Sequence, residues 1–282
     1  MHVLIAGSYT PSLTKSGTVH LSDLSAGSLS QVFRTIQPDI LISTTSGGNF
    51  ELQTRIINCA VEAHIPRFVP AEFIHDSLSP AVQERLQSGR ERARTIEFLR
   101  GKAARRQISW CAISTGYILD NGLLSGDLGF DFKWQSATIH GHGNERFAAS
   151  STAWIGKAMA AVSQHWEELE NSYVYLAEMI VSADDIVEHV QQVTGQHWEI
   201  GHVDVEDTLR EAERRLECGF PDAGMMLLGR SVLYDQSLGA VDPYIDGTTK
   251  RLLGLQDGSL GAIVQRVVQE HEHHGKGDCG CA

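Results

Sequence analysis

The chain has 282 residues, of which 42% are hydrophobic, 21% charged and 7% aromatic, and this composition excludes a disordered, collagen-like or coiled-coil protein. It carries 23 Lys and Arg residues against 35 Asp and Glu residues, a formal net charge of −12, so nucleic acids and anionic membranes are not expected partners. No apolar run reaches the roughly 18 residues of a membrane span. Of the five cysteines, Cys59, Cys111 and Cys218 are widely scattered and only Cys279 and Cys281 lie close together, which is not the pattern of a disulfide framework and favours a cytoplasmic location.

Short apolar runs alternate with longer amphipathic segments along the first part of the chain. This alternation predicts strands and helices in turn, and hence a parallel sheet flanked by helices. Asn49 precedes one amphipathic segment and is a typical helix N-cap residue. In chain order we predict a strand around Leu4, a strand at Thr18–Leu21, a helix at Ser25–Ile36, a strand at Ile40–Ser43, a helix after Asn49, a strand at Arg67–Val69, a helix at Val82–Leu99 and a strand at Ile108–Ile113.

Glycine becomes frequent beyond Gly116, which indicates that a second, smaller lobe begins near this residue. Ser182 is followed by acidic residues, and both features are typical of a helix start because they complement the free N–H groups of the first turn. The predicted elements are a strand at Ala137–Ile139, a helix at Thr152–Trp166, a strand at Tyr173–Leu176, a helix at Ser182–Val193, a strand at Trp198–Val203 and helices at Glu206–Cys218, Thr248–Leu253 and Leu260–Gln269.

Six ordered segments carry a resemblance to a known family. PRFVPAEF at residues 66–73 resembles the PRFxPSEF signature of the NmrA-like, isoflavone-reductase-like branch of the atypical short-chain dehydrogenases. The other similar segments are DILISTTSG at 39–47, TIEFLR at 95–100, AISTGYILDNGL at 112–123, LGFDFKWQSATIHGHGNERFAASS at 128–151 and TGQHWEIGHVD at 194–204. The resemblance extends from about Gly17 to Val268, which is nearly the whole chain.

The resemblance implies a Rossmann-type α/β fold, with a doubly wound parallel sheet that is truncated here at its first βα unit and a smaller α+β substrate lobe. Residues 1–116 would form the truncated dinucleotide-binding domain, residues 117–270 mostly a substrate-binding lobe with elements that return to the sheet, and residues 271–282 a disordered tail. It also implies an NAD(P)H-dependent oxidoreductase, monomeric or homodimeric, that acts on a small aromatic or polyketide-type metabolite in secondary metabolism.

The glycine-rich cofactor motif of the family is absent from this chain. Family members open with a strand, GxxGxxG and a helix whose N-terminus faces the pyrophosphate. Here VLIAGSYTPSLTKSGTVHLSD aligns best with the family's second strand and the loop after it; a rival alignment makes VLIAG the first strand and deletes the next helix and strand. Both remove about 30 residues, or one βα unit, unless that unit is encoded upstream of Met1. We therefore expect NADP(H) binding to be weak or absent.

A second departure lies in the helix that carries TIEFLR, where the resemblance places a lysine that donates a proton or anchors the substrate. The segment GRERARTIEF contains no lysine, and Arg90 and Arg92 occupy the region. A guanidinium does not exchange its proton near neutral pH, but it binds carboxylates, phenolates and enolates through paired hydrogen bonds. We predict that Arg92 is a catalytic anion anchor and that Arg90 binds substrate. The alternative is that both arginines lie on a solvated helix face.

Strand-end loops supply the remaining cofactor-binding candidates, because ligands of open α/β sheets bind at the carboxyl ends of the strands. The predicted cofactor-binding residues are Thr44, Thr45, Ser46, Pro70, Glu72 and Phe73. For both loops the alternative is ordinary turn chemistry without a ligand.

His75 is the one histidine that the resemblance places near the expected chemistry, and we predict that it is catalytic because imidazole acts as an acid or a base near neutral pH. The alternative is a solvent-exposed loop histidine beside Asp76. Tyr117 stands where the family has proline and is predicted to line the substrate pocket, or else to be a half-buried packing residue. We expect no resident metal at HEHHGKGDCGC (271–281), because closely spaced ligands on a flexible terminus mostly bind metals adventitiously.

Two other functions stay open beside the oxidoreductase. The first is a cofactor-free isomerase, cyclase or dehydratase on the same scaffold, which the loss of both the glycine motif and the lysine favours. The second is a non-catalytic regulator of the NmrA-like kind. A regulator that senses a dinucleotide still needs a dinucleotide site, so the missing motif counts against it.

Overall fold

Two compact units share the chain, and each is built from several of its segments. The computed structural model describes residues 2–7, 18 and 20–275. The first unit comprises residues 1–72, 87–114 and 159–174, and the second comprises residues 73–86, 115–158 and 175–282. Segments from both sides of residue 116, where we predicted the second lobe to begin, therefore contribute to each unit.

Strands and helices alternate in the first part of the chain and mix less regularly afterwards. The strands are β1 (Val3–Ala6), β2 (Ile40–Ser43), β3 (Arg67–Val69), β4 (Ser109–Ser114), β5 (Tyr117–Ile118), β6 (Phe130–Asp131), β7 (Ser136–His140), β8 (Phe147–Ser150), β9 (Ser172–Tyr175), β10 (Met179–Val181) and β11 (Glu199–Val203). The α-helices are α1 (Ala26–Ile36), α2 (Phe50–Glu62), α3 (Pro80–Arg85), α4 (Gln87–Ala104), α5 (Leu119–Ser125), α6 (Thr152–Gln164), α7 (Trp166–Leu169), α8 (Ala183–Thr194), α9 (Val205–Glu217), α10 (Pro221–Tyr234), α11 (Thr248–Leu252) and α12 (Leu260–Gly275).

The five-stranded sheet has the order β1-β2-β3-β4-β9, and its pairs from β1 to β4 are parallel. All four residues of β2 are buried, as expected for a central strand covered on both faces. β1 alternates between exposed and half-buried side chains, which is typical of an edge. The α/β fold with a parallel sheet that the sequence predicts is confirmed.

The neighbour of β1 shows which part of the doubly wound pattern is present. In the strand order 3-2-1-4-5-6, strand 1 is followed in space by strands 4, 5 and 6. β1 pairs directly with β2, and β3 and β4 follow, which corresponds to the 1-4-5-6 half. The structure thus places VLIAG beside β2, at the position that strand 1 has in that order.

The strand that we predicted at Thr18–Leu21 does not form in the described part of that segment. Thr18, His20 and Leu21 lack strand structure, and residue 19 lies outside the described residues. All three are exposed, Leu21 to 86%, so no buried apolar side chain holds this segment against the sheet.

Side-chain caps begin the helices where the sequence predicts them. The Asn49 side-chain oxygen accepts a hydrogen bond of 3.0 Å from the Leu52 N–H at the start of α2. Ser182 and Asp185 form a reciprocal capping box at the start of α8. Both predicted caps are confirmed. They could be identified from the sequence because a cap bonds to residues within one turn of it.

The single helix that we predicted over Val82–Leu99 is instead divided into α3 and α4. Leu86 separates them with an extended backbone (φ −116°, ψ 115°). Its side chain is buried in a small apolar cluster with Val82 and Val232. The break coincides with the end of a second-unit segment at residue 86.

Two small sheets and a cluster of helices make up the second unit. Their strand orders are β10-β8-β5 and β11-β7-β6. Trp198, 1% exposed, lies in the apolar core and contacts the rings of Phe130 and Phe132. This core supports the segment of residues 115–150 that carries the polar side chains described below.

Helices α10 and α12 differ from our expectations. We predicted no helix between residues 219 and 247, yet α10 spans Pro221–Tyr234. We predicted disorder from residue 271, which is wrong for residues 271–275, because α12 extends to Gly275 and the His271 ring packs against Phe132 with centroids 5.6 Å apart. The remainder of the predicted tail lies outside the described residues.

Candidate functional site

Exposed hydroxyl groups lie at the carboxyl end of β2 in the first unit. Thr44 and Ser46 are exposed and Thr45 is half-buried. The Gln53 side chain on α2 donates hydrogen bonds to Thr45 Oγ1 (2.8 Å), to Ser43 Oγ (3.2 Å) and to the Ser46 carbonyl (3.3 Å). This loop is therefore fixed by a buried carboxamide, while its outer hydroxyls face solvent.

Thr44 also closes the end of β1. Its N–H donates a hydrogen bond of 2.7 Å to the Ala6 carbonyl, and its hydroxyl lies 3.4 Å from the same oxygen. A Cβ atom placed on Gly7 would overlap the Thr44 hydroxyl. The space above Gly7 is thus already filled by a side chain of the neighbouring strand end.

The loop after β3 is buried rather than exposed. Pro70 and Glu72 are buried, Glu72 to 1% exposure, and the Tyr173 hydroxyl donates a hydrogen bond of 3.3 Å to Glu72 Oε2. The Glu72 carboxylate is therefore held inside the first unit. Phe73, the next residue, is half-buried and belongs to the second unit.

The two candidate arginines on α4 differ in their surroundings. Arg90 is exposed, as the solvated-face alternative predicts. Arg92 is half-buried, and its guanidinium donates a hydrogen bond to the Ala71 carbonyl. A Cβ atom on Gly47 would overlap both this carbonyl and the Arg92 head. Arg92 thus lies among the loops that follow β2 and β3 in the first unit.

His75 and Tyr117 lie together in the second unit. His75 is only 8% exposed, so the alternative of a solvent-exposed loop histidine is wrong. Its ring is stacked on that of Tyr117, with centroids 6.3 Å apart. The Tyr117 hydroxyl donates a hydrogen bond to Asp127, and burial and this carboxylate raise the pKa of Tyr117. The phenol is therefore neutral, with its proton directed to Asp127.

A small cavity of about 40 Å³ lies beside His75. Gly116, Phe147 and Tyr244 contribute to its wall, all from the second unit. This volume holds a few water molecules and is far below the roughly 300 Å³ of ordinary small-molecule pockets. The cavity by itself therefore does not accommodate a metabolite.

A buried polar cluster in the second unit was not anticipated from the sequence. Arg230 Nη1 donates to His140 Nε2 (2.8 Å), and His140 Nδ1 is 2.6 Å from Thr208 Oγ1. An arginine can only donate, so Nε2 accepts and the imidazole proton is on Nδ1. Burial, with a contribution from the Arg230 charge, lowers the pKa of His140 to about 4. The histidine is therefore neutral at physiological pH.

Two further observations concern the described residues only. Within residues 2–7, 18 and 20–275, no helix is long and apolar enough to cross a bilayer. The same part of the chain has no group of three or more His, Cys, Asp or Glu residues that could hold a metal ion.

Two proteins named as oxidoreductases are similar to this chain in sequence. It is 30% identical over 182 residues to the oxidoreductase aprR of Aspergillus flavus, a match covering 64% of this chain and 61% of that protein's length. It is 25% identical over 236 residues to the oxidoreductase poxI of Penicillium oxalicum, covering 82% of this chain and 74% of that protein. The chain thus spans about three fifths of the length of the first relative.

The fold is similar to that of solved reductases. The binary complex of leucoanthocyanidin reductase with NADPH from Vitis vinifera has a TM-score of 0.72 at 16% identity, covering 95% of this chain and 99% of that one. At this identity the likeness concerns the fold, which is Rossmann-type. A sequence model described as the NmrA-like family matches residues 13–252. The chain therefore belongs to the NmrA-like family, as the resemblance of its sequence predicts.

Proposed function

We propose that the chain is an NAD(P)H-dependent oxidoreductase that acts on a small aromatic or polyketide-type metabolite in secondary metabolism. The observation that carries this proposal is the loop of exposed hydroxyls after β2, at the edge where open parallel sheets bind ligands. The oxidoreductase names of the two relatives support it. In this proposal residues 1–116 form the dinucleotide-binding domain and residues 117–270 most of the substrate lobe.

The described residues fit a ribose or the nicotinamide of a dinucleotide, but they do not fit its diphosphate. Thr44 and Ser46 offer hydroxyls from a loop that Gln53 fixes, and they suit a ribose or a nicotinamide carboxamide. Diphosphate binding needs a glycine loop before a helix N-terminus. Residues 7–17 have glycines only at their two ends, and the Thr44 hydroxyl fills the space above Gly7. The described residues thus supply no diphosphate cradle.

Arg92 is the proposed anion anchor. A bound nicotinamide cofactor would supply hydride chemistry, and an oxygen that becomes negative during reduction needs a positive or hydrogen-bonding partner. One N–H of Arg92 is bonded to Ala71, and a guanidinium has five such donors, so donors are left for an anion. Pro70 and Glu72 are the buried residues of this loop and hold it in place. Arg90 is exposed, as a residue that contacts substrate at the surface would be.

His75 is the proposed proton carrier of the second unit. Its burial against Tyr117 fixes the plane of its ring. Tyr117 would contact substrate with its ring rather than its hydroxyl, since the hydroxyl is bonded to Asp127. Phe73, half-buried and two residues before His75, is the remaining aromatic candidate.

Binding and turnover of NADPH test this function. Without a diphosphate cradle we expect a dissociation constant in the high micromolar range, weaker than about 100 μM, or no saturation. Enzyme incubated with millimolar NADPH and a panel of aromatic enones and quinones should consume NADPH above the enzyme-free rate. A sub-micromolar dissociation constant would contradict the argument from the missing motif. A complete lack of NADPH consumption across the panel would contradict the oxidoreductase.

A cofactor-free isomerase, cyclase or dehydratase is the second candidate. It is favoured by the filled space above Gly7 together with the lack of any lysine in α4 before Lys102. Such an enzyme works by positioning and proton transfer, for which His75 is the buried candidate. Substrate loss in the same panel without NADPH, abolished in His75→Gln, would support this activity and not the first.

A further inference from the structure

A wide cleft of about 790 Å³ lies in the second unit and adjoins the small cavity beside His75. Its wall is formed by Ala177, Met179 and Ile180, by Arg146, and by residues of the segment from Tyr244 to Gly258 that contains α11. Arg146 and Tyr244 border both spaces. The volume falls within the range of about 300 to 1,000 Å³ that is usual for small-molecule sites.

The charge of this cleft is opposite to that of the chain. Arg146, Lys250 and Arg251 line it, against one carboxylate, that of Asp257. The whole chain has a net charge of −12. A local excess of cations in an acidic protein attracts anions and not cations. The lining therefore selects the sign of a ligand's charge.

The three cations are positioned mostly by neutral groups. Arg146 Nη2 donates to the Ile180 carbonyl (2.8 Å), and Arg251 Nη1 donates to the Asp246 carbonyl (3.0 Å). Neither bond compensates the positive charge, and each leaves other N–H donors of the guanidinium. The two arginine heads are thus oriented without being neutralised.

Lys250 is held more tightly than the arginines. Its ammonium donates to the Glu178 carbonyl (3.0 Å), pairs with Asp257 and lies 5.6 Å from the centroid of the Trp154 ring. The Lys250 side chain is only 16% exposed, whereas that of Asp257 is 79% exposed. An anion that entered the cleft would therefore meet a partly desolvated ammonium whose present partner is largely in water.

Apolar side chains complete the cleft. Met179 and Leu255 are half-buried in its wall, and Ile245 is 65% exposed at it. Apolar surface of this kind gains free energy when a ligand removes it from water. Cationic and apolar groups in one cleft are complementary to a ligand that has both an anionic group and an apolar body.

We propose that this cleft binds a small organic acid, with its carboxylate between Lys250 and the two arginines and its apolar body against Met179, Ile245 and Leu255. The site is independent of the proposed oxidoreductase function, since none of its residues belongs to the cofactor loops or to the His75 and Tyr117 pair. The ligand class is fixed by charge and apolarity: a monoanion with a ring or chain.

Calorimetric titration of the full chain with naphthoate tests the proposal, with naphthalenemethanol as a neutral probe of similar size. Naphthoate should bind at least about tenfold more tightly than naphthalenemethanol, because charge-assisted hydrogen bonds are lost with the carboxylate. Lys250→Gln and Arg251→Gln should each weaken naphthoate binding by about tenfold and leave naphthalenemethanol binding within about twofold. Lys157→Gln, a change of an exposed lysine on α6, is the matched control and should have no effect.

Several outcomes would overturn the proposal. They are equal affinity for the two probes, no binding of naphthoate at millimolar concentration, or naphthoate binding that Lys250→Gln and Arg251→Gln leave unchanged. Lys250→Gln also removes bonds to Glu178 and Asp257 and can lower the melting temperature. Arg251 is exposed, so Arg251→Gln should keep the wild-type melting temperature, and it decides the question if Lys250→Gln does not fold.

Discussion

The guanidinium of Arg92 donates a hydrogen bond to the carbonyl oxygen of Ala71, in the loop after β3 that also contains the buried Glu72. The same arginine head occupies the space over Gly47, in the loop after β2. Arg92 therefore ties together the loops that follow two adjacent parallel strands. A role in positioning these loops is compatible with the proposed role as an anion anchor, and the two roles predict different responses to substitution.

Arg92→Ala should lower both stability and activity. The loss of a part-buried charged donor to a backbone carbonyl should cost about 1 to 2 kcal/mol of unfolding free energy, measured by urea denaturation. If Arg92 also binds a developing oxyanion, kcat/KM should fall by a further amount equivalent to about 1 to 3 kcal/mol. Removal of an exposed arginine would leave the unfolding free energy unchanged, whereas removal of Arg92 is predicted to lower it.

Arg90→Ala is the matched control for this substitution, because Arg90 is on the same helix and exposed. It should change unfolding free energy by less than about 0.5 kcal/mol. Arg92→Lys keeps the charge and should recover part of the activity without the forked geometry of a guanidinium. Wild-type kcat/KM in Arg92→Ala, measured where the variant is fully folded, would remove Arg92 from the catalytic residues.

Gly47→Ala should destabilise the first unit, because its new Cβ would overlap the backbone carbonyl of Ala71 as well as the Arg92 head. A backbone group cannot move aside cheaply, so we expect a loss of about 1 to 3 kcal/mol. Gly101→Ala, in α4, meets no atom within 4 Å and should instead gain about 0.5 to 1 kcal/mol from helix propensity. Comparing the two urea midpoints checks the prediction; equal midpoints would contradict it.

Acid should destabilise the second unit through His140. Its folded pKa of about 4 lies below the unfolded value of 6.5, so the unfolded chain binds more protons as the pH falls through this interval. The histidine's contribution is fully present above about pH 6.5 and should fall by about 2 kcal/mol between pH 7 and pH 5.

His140→Gln removes the titrating group and can keep hydrogen bonds to Arg230 and Thr208. Unfolding free energies of both proteins at the two pH values give the comparison, since other acidic and basic groups contribute equally to each. We expect a smaller decrease toward acid in the variant. If the unfolding free energies of the two proteins fall equally toward acid, the surroundings of His140 do not lower its pKa.

Tyr117→Phe tests whether the phenol serves structure or substrate. Its hydroxyl bond to Asp127 is charge-assisted, so its loss should cost about 1 to 2 kcal/mol of unfolding free energy. In the Asp127→Asn variant, Tyr117→Phe should cost less unfolding free energy than in the wild type, and a double-mutant cycle measures this difference. KM should change little if only the ring contacts substrate; a large increase in KM without loss of stability would indicate a phenol that binds substrate directly.

Local sequence rules predicted the elements whose cause is local. Asn49 and Ser182 were identifiable as caps because each hydrogen-bonds within its own first turn. α10 was missed because Gly224 and Gly229 interrupt its apolar pattern, although Pro221 followed by Asp222 is a helix-start signal that was available. Gly224 is accommodated there because its backbone approaches Leu216 of α9, a tertiary reason that no local pattern contains.

Some residues of the candidate site likewise follow from local sequence, and others follow only from the fold. The resemblance and the strand-end rule give Thr44, Ser46 and the loop of residues 70–73 as candidates without any knowledge of packing. The pair of His140 and Arg230 is 90 residues apart in sequence, so only the fold brings it together. The burial of His75 likewise depends on the ring of Tyr117, from a distant segment of the same unit.

The Gln53 carboxamide has a thermodynamic consequence for any ligand of the β2 loop. Its hydrogen bonds to Ser43, Thr45 and Ser46 hold the loop in one conformation before a ligand arrives. Association at such a loop loses little conformational entropy, because the ordering has already taken place during folding. Because the described residues also supply no diphosphate cradle, the rest of a dinucleotide should add little affinity to a fragment that contacts this loop, and nicotinamide mononucleotide should compete with NADPH at comparable concentrations.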